Sequence, residues 1–373
     1  MMKLFVIFSF FLFFPFLAFG QTFSEEQAQT SEMFEARVSC ILEEREIQRE
    51  DGTFTIQQNI LLEGLRGEWK DEEVYYEGIS VIDVLDANVY EEGDKVLVLK
   101  SENSEGETYF YLMDFVRRDA LYLLLFLFCL VTILVGKVKG FKALLGLAVS
   151  FLIIIKMILP GILGGGNPLV WGAAGSFFIL LFLIYLTEGW NQKSHIAMVS
   201  IFFSLLAVII LSWLFSGWAH LSGYAQEETM FLIGIGNNII DFKGLVLAGM
   251  LIGAIGVLDD VVVNQIETVQ QMKKANPFLS PQKIYEMAHQ VGKTHMGAIV
   301  NTLFLTYAGA SLPLLLLFVV REEPFLTFSQ ILNHEMIATE LIRTLVGSIG
   351  VALSMPLSTF LASRILKKEP KVE

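Results

Sequence analysis

The 373-residue chain is 54% hydrophobic, has a mean hydropathy of +0.58 and carries a formal net charge of −13. This is the composition of a protein whose solvent is largely the bilayer, and it excludes a wholly soluble chain. Residues 21–118 hold 24 Asp and Glu against 9 Lys and Arg, leaving 15 acids and 17 bases elsewhere. The acid therefore belongs to one soluble region, which either raises the local cation concentration or serves only as a solubilising face.

Lys3 precedes the apolar run Leu4 to Phe19, which contains eight phenylalanines, and Ala18-Phe19-Gly20 offers the small residues of a cleavage site. This predicts a signal peptide over 1–20, cut before Gln21. An uncleaved anchor is the alternative, although the run is short for a span of about 20 residues and contains Pro15. Either way the following chain starts outside. Residues 21–35 read as a polar lead. Five β-rich runs follow, at 36–42, 53–62, 73–84, 89–100 and 108–115, separated by turn signals such as Asp51-Gly52 and Glu92-Gly93-Asp94. They predict an extracytoplasmic β domain over 21–118, folded as a small closed, OB-like barrel. It lacks the basic groove and aromatic ladder that a nucleic-acid partner would need.

Arg117, Arg118 and Asp119 mark the water boundary before a transmembrane helical domain over 119–363. Seven apolar segments are each long enough to cross: 120–136, 143–160, 168–187, 196–216, 244–263, 295–320 and 337–362. The fold class expected is thus mixed, an α-helical polytopic bundle of about seven spans with an N-terminal β-barrel. With the β domain outside, the inner loops and the cytoplasmic tail 364–373 collect twelve Lys and Arg, from Lys137 to Lys371, while the outer loops hold only Lys243 and Arg321. That asymmetry agrees with the signal peptide. Gly249 and Gly253 form a GxxxG, with Gly256 a turn later, and Gly347 to Ala352 is similarly rich in small residues; both predict close helix packing. Within the long outer segment 217–241, Phe231 to Ile240 reads as an amphipathic helix or a partial re-entry.

The fifth segment carries the chemistry. Asp259 and Asp260 lie at inner-leaflet depth, where an ionised carboxylate costs about 2.5 to 3.5 kcal/mol and is usually paired or lines a wet cavity. Adjacent positions differ by about 100° around a helix, so the two acids cannot share a face. The alternative ends the span at Leu258 and makes both acids N-terminal to the next helix. Asn264, four residues after Asp260, shares its face and could join a proton or cation site; with Gln265 it could equally serve helix-end hydrogen bonding. In the sixth segment Asn301, Thr302 and Thr306 can either ligate a cation or bond a neighbouring helix. Pro313 breaks the same segment and frees the carbonyl of Gly309. In the last segment Glu340 and Arg343 are spaced to pair, unless Arg343 reaches another carboxylate or snorkels outward. Lys156 reads as a snorkelling residue. His195, His289 and His295 show no metal-ligand spacing. No phosphate loop, zinc-protease motif or nucleophile elbow is present, so neither an enzyme nor a cofactor is expected.

The runs AGMLIGAIGVLDDVV, QVGKTHMGAIVNTLFLTYAGASLPLLLLF and HEMIATELIRTLVGSIGVALSMPLST resemble the YibE/F family of bacterial polytopic membrane proteins, over roughly residues 110–362. The resemblance implies an integral plasma-membrane protein with several spans and a suggested role in transport. Its motif residues fall on Asp260, Asn301-Thr302-Leu303, Glu340 and Arg343. Asp259 matches no family acid, and Thr294 stands where the family often carries one. The similar starts Phe141-Lys142-Ala143-Leu144 and Phe242-Lys243-Gly244-Leu245 hint at two inverted three-span sets.

Together these features favour a transporter or permease. Asp260 would carry a proton or cation, helped by Asn264, Asn301 and Thr302, with Asp259, Glu340 and Arg343 as further candidates. Its partners would be the lipid bilayer and a small solute or ion, with a homo-oligomer left open. The alternative is a membrane-anchored binding or scaffold protein acting through its acidic outer domain.

Overall fold

The computed structural model describes residues 32–48, 52, 54–79, 88–102, 108–225, 227–233, 240–320 and 327–366. The signal peptide, Arg321, Lys367, Lys368 and Lys371 lie outside these residues. Two compact units divide the chain at Leu127.

In the first unit, strands β1 (Glu32–Gln48), β2 (Phe54–Gly64), β3 (Glu73–Glu77), β4 (Lys95–Glu102) and β5 (Thr108–Phe115) form one antiparallel sheet in the order β3-β2-β1-β4-β5. Period-two alternation turns Phe34, Ala36, Val38, Ile60, Leu62, Val74, Val96 and Val98 inward. Two irregularities in β1, at Val38/Cys40 and Ile41/Glu43, curl the sheet around that core. The expected closed barrel is instead a half-barrel: β3 and β5 are its edges, and no ladder joins them among the described residues. One reason is local. The Asn59 side-chain oxygen accepts from the backbone N–H groups of Gly78 and Ile79, so β3 stops at Glu77, and residues 80–84 of the expected run lie outside the described residues. Likewise β4 begins at Lys95 rather than Val89, because Glu91 to Asp94 closes a turn with Gly93 at φ 97°.

From Arg118 onward the chain is helical, the first ten residues of its first helix belonging to the first unit. Its elements are α1 (Arg118–Leu163), α2 (Pro168–Glu188), α3 (Gln192–Trp218), α4 (Phe242–Ala275), α5 (Pro281–Ala310), α6 (Leu312–Val320) and α7 (Glu335–Ile365). Side chains of Asn167, Asn191, Asp241 and Ser280 cap α2 to α5 by accepting from backbone N–H groups three residues on. Among the described residues five helices are long and apolar enough to cross a membrane, or six if α5 and α6 form one broken span. The break at Ser311 falls two residues before Pro313, where the missing N–H ends the helix. The expected count of seven differs because the first two segments lie within α1. That helix is interrupted at Lys137, whose φ is 50°, and Gly140 comes against the Thr132 carbonyl, so the chain bends sharply there. Exposed Lys156 sits on a π turn, Ile154–Ile158, further along the same helix.

Helices α4 and α7 are central: α4 packs on α2, α3, α5 and α7, and α7 packs on α3, α4 and α5. Small residues allow this. Buried Ser200, Ser204, Ser212 and Ser216 line α3, and Val208 between them meets Gly350 of α7. The GxxxG of α4 behaves differently. Gly249, Gly253 and Gly256 are exposed, and a Cβ at Gly249 or Gly256 would meet nothing within 4 Å. In the outer segment a short helix, Glu227–Leu232, is present, while 234–239 lie outside the described residues.

Candidate functional site

Helix α4 runs unbroken past the two acids to Ala275, so Asp259 and Asp260 are mid-helix residues and cap nothing. Their surroundings differ as helical geometry requires. Asp260 is exposed, and its Oδ1 accepts a hydrogen bond from Asn264 Nδ2 at 2.6 Å. Asp259 is half-buried, its Oδ1 has no hydrogen-bond partner, and the charges acting on it are those of Asp260 and Glu188, the last residue of α2. Of the two, Asp259 is the carboxylate held away from solvent, whereas the sequence favoured Asp260.

Around this pair α4 carries polar groups at helical spacing. Gln265 is buried and donates to the Ala288 carbonyl of α5 at 2.7 Å, beside Gly292, so its amide ties two helices rather than closing a helix end. Glu267 accepts from Lys193 of α3 at 2.8 Å and from Gln271 at 2.5 Å. Two spaces flank these residues. A cavity of about 10 Å³ is lined by Ile184, Glu188, Lys193, Ser194, Val263 and Glu267, among others. An open groove of about 630 Å³ lies between α4 and α5, with Asn264, Thr268, Gln271, Val291 and His295 in its walls.

Asn301 and Thr302 do not join the acids. Both are exposed on α5, whose buried face is Ile284, Ala288, Gly292, Ile299 and Leu303, and the Thr302 hydroxyl bonds back to Ala298 of its own helix at 3.0 Å. Glu340 and Arg343 do pair, at 3.4 Å, with about one-fifth of each side chain exposed. Arg343 Nε is buried without a partner, and the charges of both residues act on Tyr307, whose hydroxyl lies over Gly253 of α4. Gly253 is six residues, about 9 Å of helix, from Asp259. The candidates therefore form two polar centres at different depths.

The sequence marks Glu188 only as a residue flanking the inner turn and Lys193 only as an inner-loop charge, and gives no sign of Glu267. Their spacing gives no sign that they meet, because they belong to three helices. The sequence is equally silent on the role of Glu335, whose carboxylate accepts from Ser222 and Gly223 and ties the loop after α3 to the start of α7. Among the described residues no three His, Cys, Asp or Glu side chains converge on a point that would hold a metal.

A family model described as YibE/F-like protein matches residues 124–368, well over half of the chain. No curated protein and no solved structure matches.

Proposed function

The chain belongs to the YibE/F-like family, and from that premise we propose that this multi-pass membrane protein is a transporter or permease coupled to a proton or cation through the Asp259–Asp260 pair. One observation carries the reading: Asp259 is half-buried in the middle of an apolar helix with an oxygen that no donor satisfies. A carboxylate in that position is costly, and holding it beside a second carboxylate raises the cost further. Binding a proton or a cation relieves both penalties, so occupancy of the pair is linked to the packing of α4 against α2 and α3.

In this reading the two arms of α1 on either side of Lys137 cross separately, giving seven crossings. Lys137, Lys193, Lys273, Lys283 and Arg364 then fall at one set of helix ends, the cytoplasmic one, opposite Lys243. The β unit is outside, and transport proceeds by rocking of one helical set against another. The test is proton or monovalent-cation flux into proteoliposomes under an imposed gradient. Asp259→Asn should abolish it and Asp260→Asn should reduce it; undiminished flux in both variants would remove the assignment.

A binding or scaffold role has one observation in its favour: Tyr109, Tyr111 and Met113 form an exposed stripe on β5. Deleting residues 21–115 separates the readings, since flux survives the deletion in the first and the phenotype is lost with flux intact in the second.

A further inference from the structure

We propose that Glu188 and the Lys193–Glu267 ion pair form the gate through which Asp259 exchanges its proton with water at the inner end of α2 and α3, a proposal that rests on reading Asp259 as the coupling carboxylate. The turn that carries the gate is held firmly. Gly189 turns the chain at φ 82°, Asn191 Nδ2 donates to the Glu188 carbonyl at 2.7 Å, and Ser194 Oγ donates to the Gly189 carbonyl at 2.6 Å. Tyr185 and His195 bridge its two sides through a hydrogen bond of 2.7 Å to Nδ1. Glu188 and Lys193 are thereby held close to one another across the turn.

From Asp259, Val263 is one turn further along the same face and Glu267 is two turns further, so the three residues form a line directed at that turn. The cavity of about 10 Å³ lies along this line, between Val263, Glu188, Lys193, Ser194 and Glu267. That is about the volume one water needs, and four polar side chains in its wall supply partners for it. The charges that act on the line are Glu188 on α2, Lys193 on α3 and Glu267 on α4, with Asp260 acting on Asp259 from the neighbouring face and Lys139 on α1 acting on Glu267.

The relay balances without a further reactant. Asp259 lies one turn back from the cavity and is not in its wall, so the relay takes two waters in line. The Asp259 O–H bond breaks as its proton passes to the first, a proton of the first passes to the water in the cavity, and a proton of that water passes to a Glu188 oxygen, leaving one carboxylate and one carboxylic acid as before. The Lys193–Glu267 pair stands at the mouth of this path. Its side chains are 25% and 41% exposed, and a pair so exposed is worth about 1 kcal/mol or less, weak enough to open and close during turnover. Asp260 has no such gate, because it faces the open side of α4.

Infrared-monitored hydrogen–deuterium exchange of the full-length protein in lipid nanodiscs tests this without knowledge of the transported solute. The carboxylic-acid band lost in Asp259→Asn identifies the proton concerned. Glu188→Gln should slow its exchange about tenfold or more and Glu188→Asp should restore it, whereas Glu267→Gln, which removes the pair's negative partner, should speed it severalfold. Unchanged rates in Glu188→Gln and Glu267→Gln would overturn the gate while leaving Asp259 as the carrier. Absence of any Asp259-dependent band at every pH where the protein stays folded would overturn the carrier and the gate together.

Discussion

Helix α4 has two faces, and they are built differently. One, running through Ala248, Ile255, Asp259 and Ile266, is covered by neighbouring helices; the other, running through Gly249, Gly253, Gly256, Asp260 and Asn264, is exposed. Both contain small residues, but on the exposed face only the Tyr307 hydroxyl of α5 comes close, over Gly253, whereas the covered face meets another backbone. There the glycine is on the partner: a Cβ on Gly172 of α2 would lie 2.6 Å from Ala248 Cβ and 2.9 Å from its Cα. A small-residue motif therefore reports where a backbone can be approached and not whether anything approaches it. The same division separates the two acids, which are neighbours in sequence and occupy opposite environments.

The largest expected effect comes from filling the close contact. Gly172→Val places carbon atoms inside the α4 backbone contact and should cost about 1 to 3 kcal/mol, seen as a lower thermal midpoint in detergent. A variant as stable as the parent would mean that α2 and α4 do not touch there, and the contrast between the two faces would fall.

Neutralising the acids sharpens the contrast at the next level. Asp259→Asn removes a half-buried charge with an unsatisfied oxygen and should stabilise the bundle by about 1 kcal/mol while abolishing flux, the trade expected where a functional group is held at a cost. Asp260→Asn should change stability by less than about 0.5 kcal/mol, because among the described residues no other helix covers the site and Asn264 can hydrogen-bond either side chain. Equal effects of the two substitutions on the unfolding midpoint would show that the helix does not distinguish them.

What could be read from the sequence follows the same division. Spacing along one helix fixed the Asp260–Asn264 bond and the Glu340–Arg343 pair, since residues three or four apart are neighbours whatever surrounds them. The break near Pro313 was legible because proline acts on its own helix. Which side of α4 is covered is not legible in the sequence, so spacing alone assigns neither acid to the buried side and predicts packed glycines where the face is open. Lys193 with Glu267, and Gln265 with Ala288, depend on which helices meet, and no local pattern encodes that. The β unit shows the same limit: alternation marked the strands, while the side chain of Asn59, reaching across to Gly78 and Ile79, decided where β3 ends.

The smallest effects belong to the exposed face and are the most direct test of whether it is free. Gly249→Ala and Gly256→Ala add a methyl group that meets nothing within 4 Å, so only helix propensity changes, and each should raise stability by about 0.5 to 1 kcal/mol. Thr302→Ala should be nearly neutral, since that hydroxyl serves its own helix. If a second copy of the chain packs against these glycines, the alanine variants should instead weaken an oligomer, because the added methyl groups hold the backbones apart. Light scattering of the purified protein in detergent distinguishes the outcomes. An unchanged mass with a raised midpoint keeps the face open, and with it Asp260 uncovered by protein; a fall in mass would turn that face into an interface and leave Asp260 as buried as its neighbour.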